Sequence, residues 1–301
     1  MVRAWGLAAD QLVGAQVVTA AGDIVEVTDD TEPELMWALR GGGGNFGVVT
    51  RFDFEAHRLA DVVWIELALT GDARPVLRAV RDVLWGAPRE LTVTFMDVPA
   101  MDPSAPPGAS ITACWLGDEE AARRLLAPVL GTAGVTEVSI RRAPYPEILA
   151  DMPPADPAQP APGFVGGNTL LVELADETID RLVAFRQAQP VSVVFLRSLG
   201  GAYGDVAPEA TPFPAREATW FAMAGAFDGP HLDDAERARV AADWARIRSE
   251  GAGVYGNFLA TADPADVDAL YSAEAMARLR RIKRAWDPDN IFRRNHNVRP
   301  A

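Results

Sequence analysis

Five glycines fall within seven residues, Gly41 to Gly44 and Gly47, in the stretch WALRGGGGNFGVVTRF at residues 37–52. Glycine loses more conformational freedom on folding than any other residue. A joint that gathers five of them needs backbone that side chains would obstruct. On its N-terminal side, TEPELMWALRG reads as a short helix, with Thr31 and Glu34 at capping-box spacing and Gly41 as the stop. On its C-terminal side, GVVTRFDFEAHRL alternates apolar and polar residues at the period of a strand. Gly42, Gly44 and Gly47 satisfy G-x-G-x-x-G, but a dinucleotide fingerprint follows a strand and opens a helix, and here a helix ends and a strand begins. A helix stop with a tight turn explains Gly41 and one neighbour, not a fifth glycine at Gly47. Two readings stand side by side: a plain turn, and a cradle whose backbone N–H groups approach an anionic ligand.

The segments around this joint divide the chain into three regions. Residues 1–58 read as a compact α+β unit in which AQVVTAAGDIVEV forms a hairpin turning at Ala20 to Asp23. Residues 59–250 hold seven strand-like runs: VVWIELALTG, ELTVTFMDV, ASITACWLG, VTEVSIRRA, TLLVELA, VSVVFLRSLGG and ATWFAMAGAF. Four amphipathic helical runs lie among them: ARPVLRAVRDVLWGA, DEEAARRLLAPVLG, DETIDRLVAFRQA and DDAERARVAADWARIRSEG. Strands outnumber helices and are often adjacent, which predicts a mostly antiparallel sheet with helices on one face, not a doubly wound parallel sheet. The Pro-rich DMPPADPAQPAPGFVGGN reads as a long loop, either lining a site or making a surface excursion. Residues 251–301 contain a strand-like GVYGNFL, a helix from Ser272 to Trp286 stopped by DPDN, and a closing IFRRNHNVRP.

Composition limits the function classes. The net charge of −14 argues against wrapping nucleic acid or docking on anionic lipid. No run of eighteen apolar residues predicts a membrane span, and the start lacks a signal-peptide core, so a cytoplasmic protein is expected. Cys114, the only cysteine, lies in an apolar strand and reads as a buried, inert thiol. Lys283 is the lone lysine, read here as a consequence of genomic base composition. His57, His231 and His296 lack metal-ligand spacing, and no metal site is expected. Tyr255 and Asn257, two apart on a predicted strand, share a face and either serve a site or are simply half-exposed. Asn295 and Asn297 repeat that spacing, and Phe213 sits between two prolines as a core anchor or a site residue.

Taken together, three blocks resemble the berberine bridge enzyme-like group of FAD-linked oxidases, within the PCMH-type flavoprotein superfamily. They are GLAADQLVGAQVVTAAGDIVEVT with PELMWALRGGGGNFGVVTRFDF, then LGGAYGDVAPEATPFPAR, then VYGNFL with LYSAEAMARLRRIKRAWDPDNIFRRNHNVRP, in family order. The resemblance implies an α+β fold. Residues 1–58 form the second lobe of an FAD-binding domain, 59–250 an inserted substrate domain with a large antiparallel sheet flanked by helices, and 251–301 a segment returning to the FAD domain. It implies that Gly44, Asn45, Phe46, Gly47, Val48 and Val49 lie against FAD, with Asn257 and Asn297 near its ring or ribityl chain. Tyr255 would face the flavin as base and, with Phe213, contact the substrate. The reaction implied is hydride removal from a C–H bond beside oxygen or nitrogen of a small organic molecule, as in secondary metabolism, with dioxygen as acceptor and hydrogen peroxide formed.

Members of the group also carry an upstream lobe holding a pyrophosphate loop and a flavin-attaching histidine, with an attaching cysteine before GLAAD. Neither His57 nor Cys114 stands at those positions, so flavin is expected to be noncovalent at most. His296 stands where glutamine is common and Ala215 where histidine is common. Without that lobe residues 1–58 would expose apolar surface and strand edges, so a start lying upstream, a separate flavin-lobe chain or an evolved shorter form is expected, with self-association a further way of covering them. The alternatives to an oxidase are a flavin-free relative, binding a small molecule or acting as a cyclase, and a subunit that needs a partner chain.

Overall fold

The computed structural model describes residues 1–59, 61–99, 108–149, 163–229, 232–259, 264–294 and 296–301. The chain begins with α1 (Val2–Trp5), β1 (Leu12–Val18) and β2 (Ile24–Val27), followed by α2 (Pro33–Leu39) and β3 (Val48–Phe54). β1 pairs antiparallel with both neighbours, giving a three-stranded sheet in the order β2-β1-β3. The expected hairpin forms at Gly22, whose φ of 89° lies where a side chain is disfavoured. The expected capping box does not form: α2 has Glu32 as N-cap without a side-chain bond. Thr31 Oγ1 instead donates to the Glu26 carbonyl, while Glu34 pairs with Arg278.

A larger antiparallel sheet follows. Its strands are β4 (Asp61–Leu69), β5 (Leu91–Val98), β6 (Gly108–Trp115), β7 (Val135–Pro144), β8 (Phe164–Leu171), β9 (Ser192–Ser198) and β10 (Trp220–Phe227), in the order β7-β4-β6-β5-β9-β10-β8. β8 starts at Phe164, five residues earlier than its apolar run suggested, because Phe164 to Asn168 pair in full register with β10. The Pro-rich segment before it lies outside the described residues up to 162.

Helices α3 (Arg74–Gly86), α4 (Glu119–Leu125), α5 (Ala127–Leu130), α6 (Asp176–Ala188) and α7 (Asp234–Arg248) supply the cover. DEEAARRLLAPVLG is two helices rather than one, since Pro128 enters where a continuous helix would need its N–H. α3 buries Val76, Leu77, Val80 and Leu84, one stripe at helical spacing, against Val93, Phe95, Leu182 and Val194 in a single core. Each such side chain contributes about 1.5–3 kcal/mol when fully buried. This core occupies one face of the large sheet, as the alternation predicted.

The chain closes with α8 (Pro264–Asp268) and α9 (Ala273–Trp286), the latter capped by Ser272 as expected. Met276, Leu279 and Ile282 of α9 join Val17, Leu35 and Met36 in a second core under the small sheet. Arg278 stacks over the Trp37 ring at 4.0 Å and pairs with Glu34, fastening α9 to α2. The outer surface of the small sheet is apolar in places: Ile24, Val48, Phe52 and Phe54 are all exposed. Among the described residues no helix is long and apolar enough to cross a membrane.

Candidate functional site

The five glycines separate by what surrounds them. A Cβ on Gly42 would stand 2.6 Å from the Ala38 carbonyl oxygen and 2.8 Å from Leu279 and Phe46 carbons. A Cβ on Gly47 would stand 2.4 Å from Val17 Cγ1 and 2.7 Å from the Val18 oxygen, so Gly47 is there to let β3 approach β1. On Gly41 it would meet the Phe213 backbone nitrogen at 3.1 Å. Gly44 has no atom within 4 Å of that position, and Gly43, at φ 69°, has only the Asn45 amide at 3.7 Å. The protein's own packing therefore explains three of the glycines. The two at the apex face open space.

That apex is held rigidly from the far end of the chain. Asn45 Nδ2 donates to the Gly42 and His296 carbonyls at 2.8 and 3.0 Å, and Asn45 Oδ1 accepts from Val298 N–H at 2.9 Å. Lys283, fully buried, donates to the carbonyls of Asn45 and Phe292, both at 2.7 Å, and to Asp287 Oδ2 at 2.5 Å. Asp287 also accepts from Ile291 and Phe292 N–H groups. Burial pushes its carboxyl up, but Lys283 and these two donors outweigh that and hold it below the ordinary carboxylate range. Tyr271 donates to the Gly41 carbonyl at 3.1 Å, and burial pushes its phenol up to about 12.

Opposite the apex stands the tyrosine segment. It is not the expected strand. Only Gly253 bridges to Leu170, and Gly256–Phe258 is a single 3-10 turn with Tyr255 as its N-cap. The buried Asn168 of β8 satisfies the backbone that a ladder would have paired: its Oδ1 accepts from Tyr255 N–H at 2.7 Å and its Nδ2 donates to the Tyr255 carbonyl at 3.0 Å. The turn still brings the two expected side chains together, with Asn257 Nδ2 donating to Tyr255 Oη at 2.7 Å. The amide is the donor in that bond, so the phenolic hydrogen points elsewhere.

The loop carrying Phe213 forms the third wall. Phe213 is buried and packs 5.3 Å from the Tyr255 ring and 6.0 Å from Tyr203. Arg216 lies over both Phe213 and Tyr203 and forms a buried ion pair with Asp10 at 2.7 Å. Asp10 accepts from Leu7 N–H, so the pair binds the loop to the segment Leu7–Ala9.

These walls enclose a cavity of about 330 Å³. It is lined by the turn Gly41 to Asn45, by Phe213, Tyr255, Asn257 and Tyr271, and by Leu7 to Ala9, Arg294 and His296. Of the expected site residues, Gly44, Asn45, Phe213, Tyr255 and Asn257 meet there. Phe46 turns into the second core, Gly47 meets β1, Val48 is exposed on β3 and Val49 packs against the second core, so none of these four lines the cavity. Asn297 follows His296, and its Oδ1 is buried without a hydrogen-bond partner among the described residues. Asn295 and His231 lie outside the described residues. His57 stacks on Trp5 far along the first region and shares a bond with Gln11. Cys114 is buried as expected, and burial raises its thiol. Lys283 and Asn168 were missed. Only the rarity of lysine marks the former in the sequence.

The cavity has the size of a small-molecule site, suited to a planar ring system. One feature of it fits a flavin head: the apex at Gly43 and Gly44 is clear of side chains.

Residues 254–299 match the sequence profile of a family described as berberine and berberine like. The (R)-6-hydroxynicotine oxidase of Paenarthrobacter nicotinovorans is 27% identical over 320 residues, covering 98% of this chain and 67% of that protein. The FAD-linked oxidoreductase pgmH of Aspergillus terreus is 28% identical over 338 residues, covering 100% and 66%. This chain thus spans about two thirds of the length of such relatives. Among solved structures, a chitooligosaccharide oxidase superposes with a TM-score of 0.82 at 20% identity, over 100% of this chain and 68% of that one. A xylooligosaccharide oxidase from Myceliophthora thermophila C1, in complex with xylobiose, gives 0.78 at 23%, over 99% and 68%. The likeness to these structures is one of fold.

Proposed function

We propose that this chain, a relative of the berberine bridge enzyme-like FAD-linked oxidoreductases, works in an FAD-linked oxidase acting on a small organic substrate. The observation that carries the reading is the meeting of three sequence-distant elements at one cavity: the unobstructed glycine apex, the Tyr255–Asn257 pair, and the segment containing His296. One planar molecule can touch all three.

Gly43, Gly44 and Asn45 would hold FAD along the apex, Asn257 and Asn297 at the edge of its ring. When bound, flavin supplies the redox chemistry: acceptance of a hydride equivalent from a C–H beside oxygen or nitrogen, and its return to dioxygen as hydrogen peroxide. The chain supplies position and proton handling. Tyr255 Oη, fixed by Asn168 through its backbone and by Asn257 donating to its oxygen, acts as the phenolate, having first released its own proton to solvent, and takes the proton from the substrate O–H or N–H as the C–H bond breaks. Phe213, Phe221 and Phe258 around the Tyr255 ring keep water from that oxygen's apolar side. The relatives' names are those of FAD-linked oxidoreductases, and the readings as a cyclase or a flavin-free binder draw no support from them.

The test is spectroscopic. The protein as expressed from its own genome, or incubated with FAD and then freed of unbound flavin, is expected to absorb near 450 nm and to bleach anaerobically with an oxidisable substrate. A protein that retains no flavin after that separation refutes the proposal.

A further inference from the structure

The face of the large sheet opposite the helical core carries a row of side chains that the cavity does not use. Directly paired residues of antiparallel strands share a face. The register therefore sets Leu170, Phe221, Arg197, Thr94, Thr112 and Glu66 side by side across β8, β10, β9, β5, β6 and β4. Alternate residues on these strands, such as Val93, Phe95, Val194 and Leu196, are buried under the helices. Phe221 is covered by Tyr255 and Phe258, whereas Arg197 is exposed.

Arg197 is unusual in this acidic chain. Its Nε donates to Thr94 Oγ1 at 3.3 Å and its guanidinium lies 5.1 Å from the Phe195 ring centroid. Among the described residues it has no carboxylate partner, although most of the arginines here do. The Tyr145 phenol lies within its electrostatic reach. Part of the side chain reaches solvent, while packing around it lowers the guanidinium's basicity and the Met1 amino group also lies within its electrostatic reach.

We propose that Arg197 anchors a carboxylate of the substrate, so that this face accepts a small, flat, apolar organic acid whose reacting bond reaches Tyr255. The word substrate rests on the oxidase reading above; the binding of the acid does not. Arg197 and Phe221 are cross-strand neighbours, about 5 Å apart, and the Phe221 ring is 6.4 Å from that of Tyr255. An aryl ring with a short acidic arm spans that gap and lies against Phe195 and the exposed Phe258 ring, which covers Phe221. A guanidinium presents two parallel N–H groups to a carboxylate. The guanidinium, with the Met1 amino group near it and otherwise neutral hydroxyls and aromatic rings around it, suits one negative charge. Glu66, three strands along the row at about 14 Å, disfavours a second acid group at the far end.

Phenylacetate and its neutral isostere phenylacetamide test this by titration into the whole protein, followed by calorimetry or amide chemical shifts. Wild type is expected to bind the acid at least about tenfold more tightly than the amide. Arg197→Gln is expected to bind the two alike, with an unchanged melting temperature, and Arg197→Lys to keep a reduced preference for the acid. The proposal is overturned if wild type shows no phenylacetate binding up to about 10 mM, if it does not discriminate, or if the preference survives undiminished in Arg197→Gln. Should that variant fail to fold, a full preference in Arg197→Lys overturns it equally. No flavin is needed in this titration, so its failure leaves the 450 nm test standing, and a colourless protein leaves this titration readable.

Discussion

Replacing Lys283 by methionine removes one ammonium and leaves the rest of the side chain's volume almost unchanged. The ammonium makes three hydrogen bonds, to Asn45 O, Phe292 O and Asp287 Oδ2, and none of its surface reaches solvent. Without it, Asp287 keeps two backbone donors, Ile291 and Phe292 N–H, but its charge is buried and uncompensated. Breaking a buried pair from one side costs about 3–5 kcal/mol. With a urea m-value of about 3 kcal/mol/M, the midpoint for the unit built on the second core should fall by about 1–1.7 M. Adding Asp287→Asn removes the stranded charge while keeping an acceptor for the two N–H groups, so the double variant should recover part of the loss. The pH profile carries a sign. The Asp287 carboxyl is held below its ordinary value, so it stabilises the fold above the unfolded-state value of about 4. That contribution disappears as pH falls through the lower folded-state value. Lys283→Met should lose this acid-side dependence. A midpoint shift under about 0.3 M, or a double variant as unstable as the single, would refute the argument.

Gly44→Ala should change stability by less than about 0.5 kcal/mol, because its Cβ position is empty, yet weaken FAD binding in a fluorescence titration. Gly47→Ala should cost about 1–3 kcal/mol in urea melts through its clash with Val17 and the Val18 carbonyl. Tyr255→Phe should lower the rate of anaerobic flavin bleaching by about 10²–10⁴-fold, with substrate affinity little changed; a near-normal rate removes the assigned role. Tyr271→Phe should cost about 1 kcal/mol by freeing the Gly41 carbonyl. The Tyr271 phenol is raised to about 12, so its stabilisation is whole below the unfolded value of about 10 and lost as pH rises towards 12. Equilibrium melts should show that alkaline loss in wild type and not in the variant.

Much of the architecture was legible because it rests on periodicity. The seven strand runs alternate, or run apolar where both faces are covered, and all seven form the antiparallel sheet with helices on one face. Local punctuation was less dependable. Thr31 and Glu34 have capping-box spacing, but a carbonyl of β2 and Arg278 of α9 claim their side chains. The VYGN stretch has a strand's composition but not its pairing, because Asn168 takes over the Tyr255 backbone groups. In the glycine run the sequence marks all five alike. Only packing separates the three that neighbours require from the two that are left clear. Lys283 and Arg197 carried no local signal at all. Each matters because of what faces it from elements distant in sequence: Asn45 across the second core, and Thr94 and Phe221 across two strand pairings.

The fastening of the glycine apex sets an order of assembly. Asn45 is clasped by groups 251 and 253 positions along the chain, and by Lys283 at a separation of 238. Contacts of such sequence distance form late. During synthesis the large sheet and its helices can close before residues 283–298 emerge, while the early hairpin and α2 wait without their clamp. The cradle is completed by residues 283–298. A cut after α9 should therefore abolish ligand capture while the seven-stranded core stays folded, and ligand capture would report that this segment has docked.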